Sequence, residues 1–361
     1  MVKPPSSLFS TSLVLLTVIT GTTACTQQPA IQSEATDQSQ ESSPWEAISQ
    51  LPTSLESHKM VALGDFVYVI GGWNETKGVH AEVFFAPLTP EGTLGDWQEA
   101  TAAMPLKLQH HEVITHNNGI YVLGGDNGFW EGSSVSDRIF RAVPDSQGNI
   151  LEWTDVGQLP EPLTIHAATT IGDQVYILGG SRTFRPGNTP VIDSIFTSTI
   201  TPDGAFNAFQ PLTPFPTPIG WVTATAIERR IFAISGNTQF SPARLAEQVW
   251  ATDVAPDGQL SPFETIGTTV PRRRHATVLV DRTLVVIAGG GAKGALSTVE
   301  AAEVDAQGNL SPWTELAPLP ETLYAHAAFA RNGYIYVSGG FLRYGSNDTS
   351  RQVFRLPFKV N

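Results

Sequence analysis

The hexapeptide VYILGG at residues 175–180, an apolar run that stops on a glycine pair, recurs along the chain. It reads VYVIGG at 67–72, IYVLGG at 120–125, VVIAGG at 285–290 and IYVSGG at 335–340, with a degenerate copy, IFAISG, at 231–236. The first-glycine positions 71, 124, 179, 289 and 339, with Ser235 at the equivalent place in the degenerate copy, give spacings of 53, 55, 56, 54 and 50 residues in chain order. A period near 50 marks a repeat architecture and limits the chain to folds assembled from like supersecondary units.

Each unit carries the same further markers. A proline precedes a histidine by six residues at Pro52/His58, Pro105/His111, Pro160/His166 and Pro320/His326. The fifth unit shortens this to Pro271/His275, and the fourth has Val222 in the histidine's place. From this position to the first glycine is 13 residues, or 14 in the fifth unit. The intervening sequence predicts a strand, a tight Gly/Asn/Asp turn such as Asn117-Asn118-Gly119, and a second strand. After the glycines come a variable loop and a third strand. A turn ending in glycine follows, and five residues beyond it Trp97, Trp153, Phe209, Phe263 or Trp313 opens a fourth strand.

Four strands per unit of about 50 residues make a propeller blade. The sixth unit stops after its third strand, and what it lacks stands at the front, where Trp45 to Pro52 repeats the fourth-strand pattern. The chain is therefore expected to be all-β, a six-bladed propeller over residues 44–361 whose last blade is closed by a strand at about residues 45–51.

The remaining sequence reads as export and tether. Residues 1–24 carry Lys3, an apolar run at 8–19 and small residues up to Ala24, the layout of a signal peptide. Thr22-Thr23-Ala24-Cys25 resembles a lipobox, although Thr22 stands where leucine is usual, and makes Cys25 the expected lipidation site. Residues 25–43 contain no aromatic or basic residue and are expected to form a disordered polar tether. The expected location is the cell envelope, periplasmic or outer membrane, with ordinary secretion as the alternative and the lipid as the only membrane contact. A monomer is expected. The net charge of −13 opposes nucleic acid as a partner. Cys25 is the only cysteine, so no intramolecular disulfide and no thiolate metal cluster can form.

The glycine pair ending the second strand, the aromatic shortly before it and the tryptophan opening the fourth strand resemble the kelch repeat. That resemblance implies a propeller scaffold and many functions. Copper radical oxidases with kelch domains crosslink a tyrosine to a cysteine, which this chain cannot do. Sialidase S-x-D-x-G-x-x-W boxes do not occur in it.

Recurrent residues belong to the scaffold by default, so His58, His111, His166, His275 and His326 are read as fold contacts and neither metal nor cofactor is expected. Function is expected where the repeats diverge: on the face bearing the loops between second and third strands and those leading from fourth to first. The candidate ligand-binding residues there are Trp73, Asn74, Asp126, Trp130, Glu131, Arg182, Arg185, Phe240, Arg244, Phe341, Arg343 and Tyr344. Trp221 and Arg273, within Arg272-Arg273-Arg274, join them from the other loop set. Aromatics that stack on rings beside arginines that grip carboxylates make a recognition surface for a protein segment or a glycan. The catalytic alternative is a sugar epimerase or mutarotase, implied by resemblance to a six-bladed kelch sialic acid epimerase. His80, Glu56, Glu131, Glu161 and Glu321 supply candidate acid and base groups, with no two of them placed together by sequence.

Overall fold

The computed structural model describes residues 43–128, 134–185 and 187–358, and Cys25, Trp130 and Glu131 lie outside them. Six four-stranded antiparallel sheets, with no helix among the described residues, repeat around a central channel. Blade 1 is Lys59–Leu63, Phe66–Ile70, Val83–Pro87 and Gln98–Glu99. Blades 2 to 5 follow the same order from the inside outward. Blade 6 contains Ala327–Arg331, Tyr334–Ser338 and Gln352–Pro357, and its outer strand is Glu46–Gln50 from the start of the propeller. Glu46 faces Arg355 and Gln50 faces Gln352, so the ring closes within this sheet as the sequence predicts.

Second strands are apolar over most of their length because they are covered on both faces. Val67, Tyr68, Val69 and Ile70 are all fully buried. The recurrent columns join neighbouring blades. Tyr68, Tyr176 and Tyr336 donate their hydroxyls to the carbonyls of Gly148, Gly258 and Gly92 in the next blade. The indoles of Trp45, Trp97 and Trp153 donate to Ala317, Ser49 and Ala102 in the preceding one. Each bond satisfies a polar atom that the blade interface would otherwise strand.

Two of the column histidines do the same: His58 Nε2 lies 2.9 Å from Ser338 Oγ of blade 6 and His275 Nε2 3.0 Å from Thr223 Oγ1 of blade 4. All five are 6% exposed or less and pack into the blade seams. Among the described residues no group of three or more potential ligands is placed to hold a metal ion. Lys59 and Glu112, each one residue after a column histidine, form a 2.7 Å ion pair in the channel.

The glycine pair is a point of contact between blades. At Gly339 (φ +61°) a Cβ would lie 2.4 Å from the Leu55 carbonyl and 2.6 Å from His58 Cε1, whereas at the turn glycine Gly64 (φ +58°) it would meet nothing. Gly64→Ala is therefore expected to cost about 1 kcal/mol for its backbone conformation alone. Gly339→Ala is expected to cost about 3 kcal/mol, because the blade seam must also open. Urea denaturation measures both, and equal losses would show that the close approach is not what the column preserves.

One spacing differs from the sequence reading. The left-handed residue matching Gly339 in blade 5 is Ala288 (φ +47°), not Gly289, whose φ of +101° matches Gly340 at +93°. His275 to Ala288 is then 13 residues, as in the other five blades.

Candidate functional site

The positions immediately before the histidine column share one conformation. Ser57, His110, Ile165, Trp221, Arg274 and Ala325 all have φ between +49° and +58°. Left-handed backbone is unfavourable for these residue types, above all for the β-branched Ile165, and six such residues at one place mark a constrained rim. A chain of backbone bonds holds them. Ser57 N donates to Ala325 O, His110 N to Ser57 O, Ile165 N to His110 O, Trp221 N to Ile165 O and Ala325 N to Arg274 O. The residues one position earlier pair with the loop after each second strand, as in the bridges Glu56 to Trp73, Gln109 to Asp126 and Tyr324 to Phe341.

These two columns and the loops they pair with enclose a cleft of about 510 Å³ over the channel mouth. Its floor is polar. Asp126, fully buried, accepts hydrogen bonds from Gln109 Nε2 at 2.8 Å, Thr164 Oγ1 at 2.5 Å and the Gly128 amide at 3.1 Å. Its Oδ2 lies 2.8 Å from His110 Nδ1. A carboxylate there fixes the neutral imidazole with its proton on Nδ1 and its lone pair on Nε2. That Nε2 is buried and has no hydrogen-bond partner among the described residues.

Glu56 lies beside this dyad, 4% exposed, accepting a short hydrogen bond from Ser57 Oγ. Burial raises its carboxyl above the ordinary range, against the opposing charge of Arg274. Arg274 Nη1 is 3.6 Å from Glu56 Oε2, beyond hydrogen-bonding distance, and its guanidinium lies 4.3 Å over the Trp221 ring.

The walls are aromatic. Phe184 is 4.5 Å from His110 and Phe240 is 4.8 Å from Trp221, while Phe341 is 5.0 Å from Tyr324 and 6.0 Å from Trp73. Arg273 completes the rim, 5.8 Å from the Trp221 ring and 5.3 Å from that of Tyr344, whose hydroxyl it contacts.

Trp73, Trp221, Phe240, Arg273, Phe341 and Tyr344 thus line the cleft together, and Asp126 supports its floor. Other candidates are engaged elsewhere. Asn74 is buried, its amide bonded to Thr53 and Ser54. Arg182 pairs with Glu161 and Arg343 with Asp348. Arg185 and Arg244 are exposed and outside the cleft lining. Arg272 departs from its triplet altogether and is fully buried between blades 4 and 5. Among the candidate acids and bases that lie within the described residues, Glu56 alone lines the cleft. His80 contacts Glu82 at 2.9 Å, and Glu321 accepts from Ser350. Sequence reasoning assigned no role to Gln109, His110 or Tyr324. Their only signal was variation at two fixed positions beside a constant column.

No family model matches the chain. Among curated proteins it is 24% identical over 314 residues to Kelch-like protein terF of Aspergillus terreus, spanning 84% of this chain and 64% of that protein. It is 25% identical to Beta-scruin of Limulus polyphemus over 47% of this chain and 18% of that protein. It is also 25% identical to human Kelch-like protein 38 over 49% and 28% respectively. The chain therefore spans less than two thirds of the length of these relatives. Among solved structures, YjhT superposes with a TM-score of 0.69 at 12% identity, over 88% of this chain and 98% of that one, a likeness of fold. Repeat register and ring closure make the chain a six-bladed β-propeller, and its sequence is similar to those of kelch-repeat proteins.

Proposed function

We propose that the axial cleft binds a compact ring-shaped ligand bearing a carboxylate, such as an acidic sugar or the terminal residue of an acidic glycan. The observation that carries this reading is Arg274: a half-buried guanidinium over the Trp221 ring, lining a cleft in which its nearest carboxylate stands 3.6 Å away. Arginine matches a carboxylate in shape and charge, and the surrounding rings offer flat apolar faces to a sugar. The size and depth of the cleft favour a small ligand over an extended protein segment. Cys25 and the polar stretch after it would present this monomeric binding module at the cell envelope.

Calorimetric titration of the full chain with glucuronate and related uronic acids tests the proposal. Saturable binding is expected, and Trp221→Ala is expected to weaken it by about 1–3 kcal/mol, or some 5- to 150-fold. Absence of binding at millimolar concentration, or affinity unchanged in Trp221→Ala, would refute it.

A second reading is favoured by the juxtaposition of Glu56 with the His110–Asp126 dyad. A carboxyl whose proton affinity is raised by burial and an imidazole lone pair in one cleft are suited to moving protons on and off a sugar hemiacetal, the chemistry of a mutarotase. Anomerisation followed by NMR is expected to be faster with protein than without it, and about 100-fold slower with Glu56→Gln than with the parent protein. A rate no greater than buffer alone removes this reading and leaves the binding one standing.

A further inference from the structure

Glu56 and Arg274 come from different blades yet meet at the centre of the cleft. The Glu56 backbone is fixed by two bonds with Trp73, Glu56 N to Trp73 O at 2.9 Å and Trp73 N to Glu56 O at 2.8 Å. Its carboxyl is thereby held in place. The groups around it come from every side: Ser57 from its own blade, Arg274 from blade 5, His110 and Asp126 from blade 2. Arg274 in turn feels Tyr324 of blade 6 and its neighbour Arg273. Within this set Arg274 is the nearest cation to Glu56, and no hydrogen bond ties the two together.

A carboxylate entering the cleft competes with Glu56 for that single guanidinium. Its arrival withdraws the positive field that favours ionised Glu56 and adds a second negative charge nearby, and both changes promote protonation of a buried carboxyl. From this geometry we infer that capture of a ligand carboxylate by Arg274 is coupled to uptake of one proton by Glu56. The inference rests on the carboxylate-binding reading above. The proton comes from solvent and converts the Glu56 carboxylate into a carboxylic acid. Its O–H then donates to the incoming carboxylate, so that two acids share one proton and one arginine. The net charge of the site is the same before and after binding, which lets a buried pocket accept an anion without accumulating negative charge.

Linkage sets the sign of the pH dependence. Binding that takes up a proton weakens as pH rises, by about tenfold per pH unit between the Glu56 midpoints of the free and bound protein. Calorimetry of glucuronate in two buffers of different ionisation enthalpy counts the protons directly, with glucose as the uncharged control. Uptake approaching one proton per glucuronate is expected within that interval, with none for glucose. Glu56→Gln is expected to bind glucuronate with no proton exchange and no pH slope. It should also bind more tightly at neutral pH, since the competing carboxylate is gone. Glucuronate binding without proton uptake overturns the inference while leaving the binding site intact. Uptake that persists in Glu56→Gln assigns the proton to His110 and overturns it equally. Failure of both sugars to bind refutes the underlying reading of the cleft instead. Should Glu56→Gln not fold, the proton count in His110→Gln decides instead: uptake retained there supports Glu56 as the acceptor, and uptake lost there overturns the inference.

Discussion

Acidification below pH 6.5 is expected to destabilise the propeller steeply, beginning before most of its carboxylates are protonated. Burial lowers His58, His166 and His326 to about 3 and holds His111 and His275 well below their ordinary value of 6.5. These imidazoles are neutral in the folded protein and become protonated near 6.5 once the chain unfolds. Below pH 6.5 the unfolded state therefore binds more protons, and stability falls as pH falls; above 6.5 the effect disappears. Three such groups contribute a slope of about 4 kcal/mol per pH unit until the folded-state midpoints near 3 are reached. Two units of acidification then match the whole stability of an ordinary domain, about 5–15 kcal/mol. Glu56 and Glu112, raised above 4.5 by burial, oppose the trend, but they are outnumbered. Urea midpoints at pH 7.5, 6.0 and 5.0 measure the effect. A midpoint independent of pH across this range would show that the column is not a set of neutral buried imidazoles.

Arg272→Ala is expected to destabilise the protein by about 3–5 kcal/mol, whereas Arg272→Leu combined with Glu300→Gln should stay within about 1 kcal/mol of the parent. The reason lies in a column of otherwise apolar residues. Leu55, Leu108, Leu163, Ile219 and Leu323 are at most 1% exposed. Each offers its carbonyl to a glycine amide of the preceding blade, and Arg272 O accepts from Gly236 N at 2.9 Å in the same way. The arginine thus occupies a leucine's place. Its side chain donates to Val270 O and Ala288 O, both at 3.0 Å, and meets Glu300. Truncation to alanine leaves a cavity together with a carboxylate deprived of its cation. Leucine refills the space, and the second substitution removes the remaining charge. Equal losses in the two variants would mean that the ion pair itself stabilises this seam.

The scaffold was legible in the sequence because its contacts recur. Tyr68, Trp97, His111 and Gly339 each make a bond or close approach to an adjacent blade, so the requirement is repeated around the ring and appears as a column. The exception at Ala288 shows the limit of this reasoning. Its left-handed backbone is a property of position, and the neighbouring glycine pair at 289–290 drew the register one residue too far. The cleft was half legible. Divergence after the glycines led to Trp73, Phe341 and Tyr344, since large aromatics in loops have few scaffold roles. Divergence could not distinguish Arg273, which lines the cleft, from Arg182, whose partner Glu161 precedes it by 21 residues and is brought alongside only by the fold. His110 and Tyr324 were hidden for the opposite reason. Each is adjacent to a scaffold residue and was absorbed into its column, although the left-handed turn at His110 sends its side chain elsewhere.

The closure of blade 6 also bears on the order in which the protein is made. The strand Glu46–Gln50 is synthesised before any other part of the ring, and its partner Gln352–Pro357 is synthesised last. Until then the first strand has no sheet to join, and joining it closes a loop of some 300 residues, an entropic term that local contacts do not offset. Five blades can assemble as they emerge from the ribosome while the sixth waits until Gln352–Pro357 has been made. During that interval the nascent chain carries an unpaired edge at each end, which is when it is most exposed to pairing with the wrong strand.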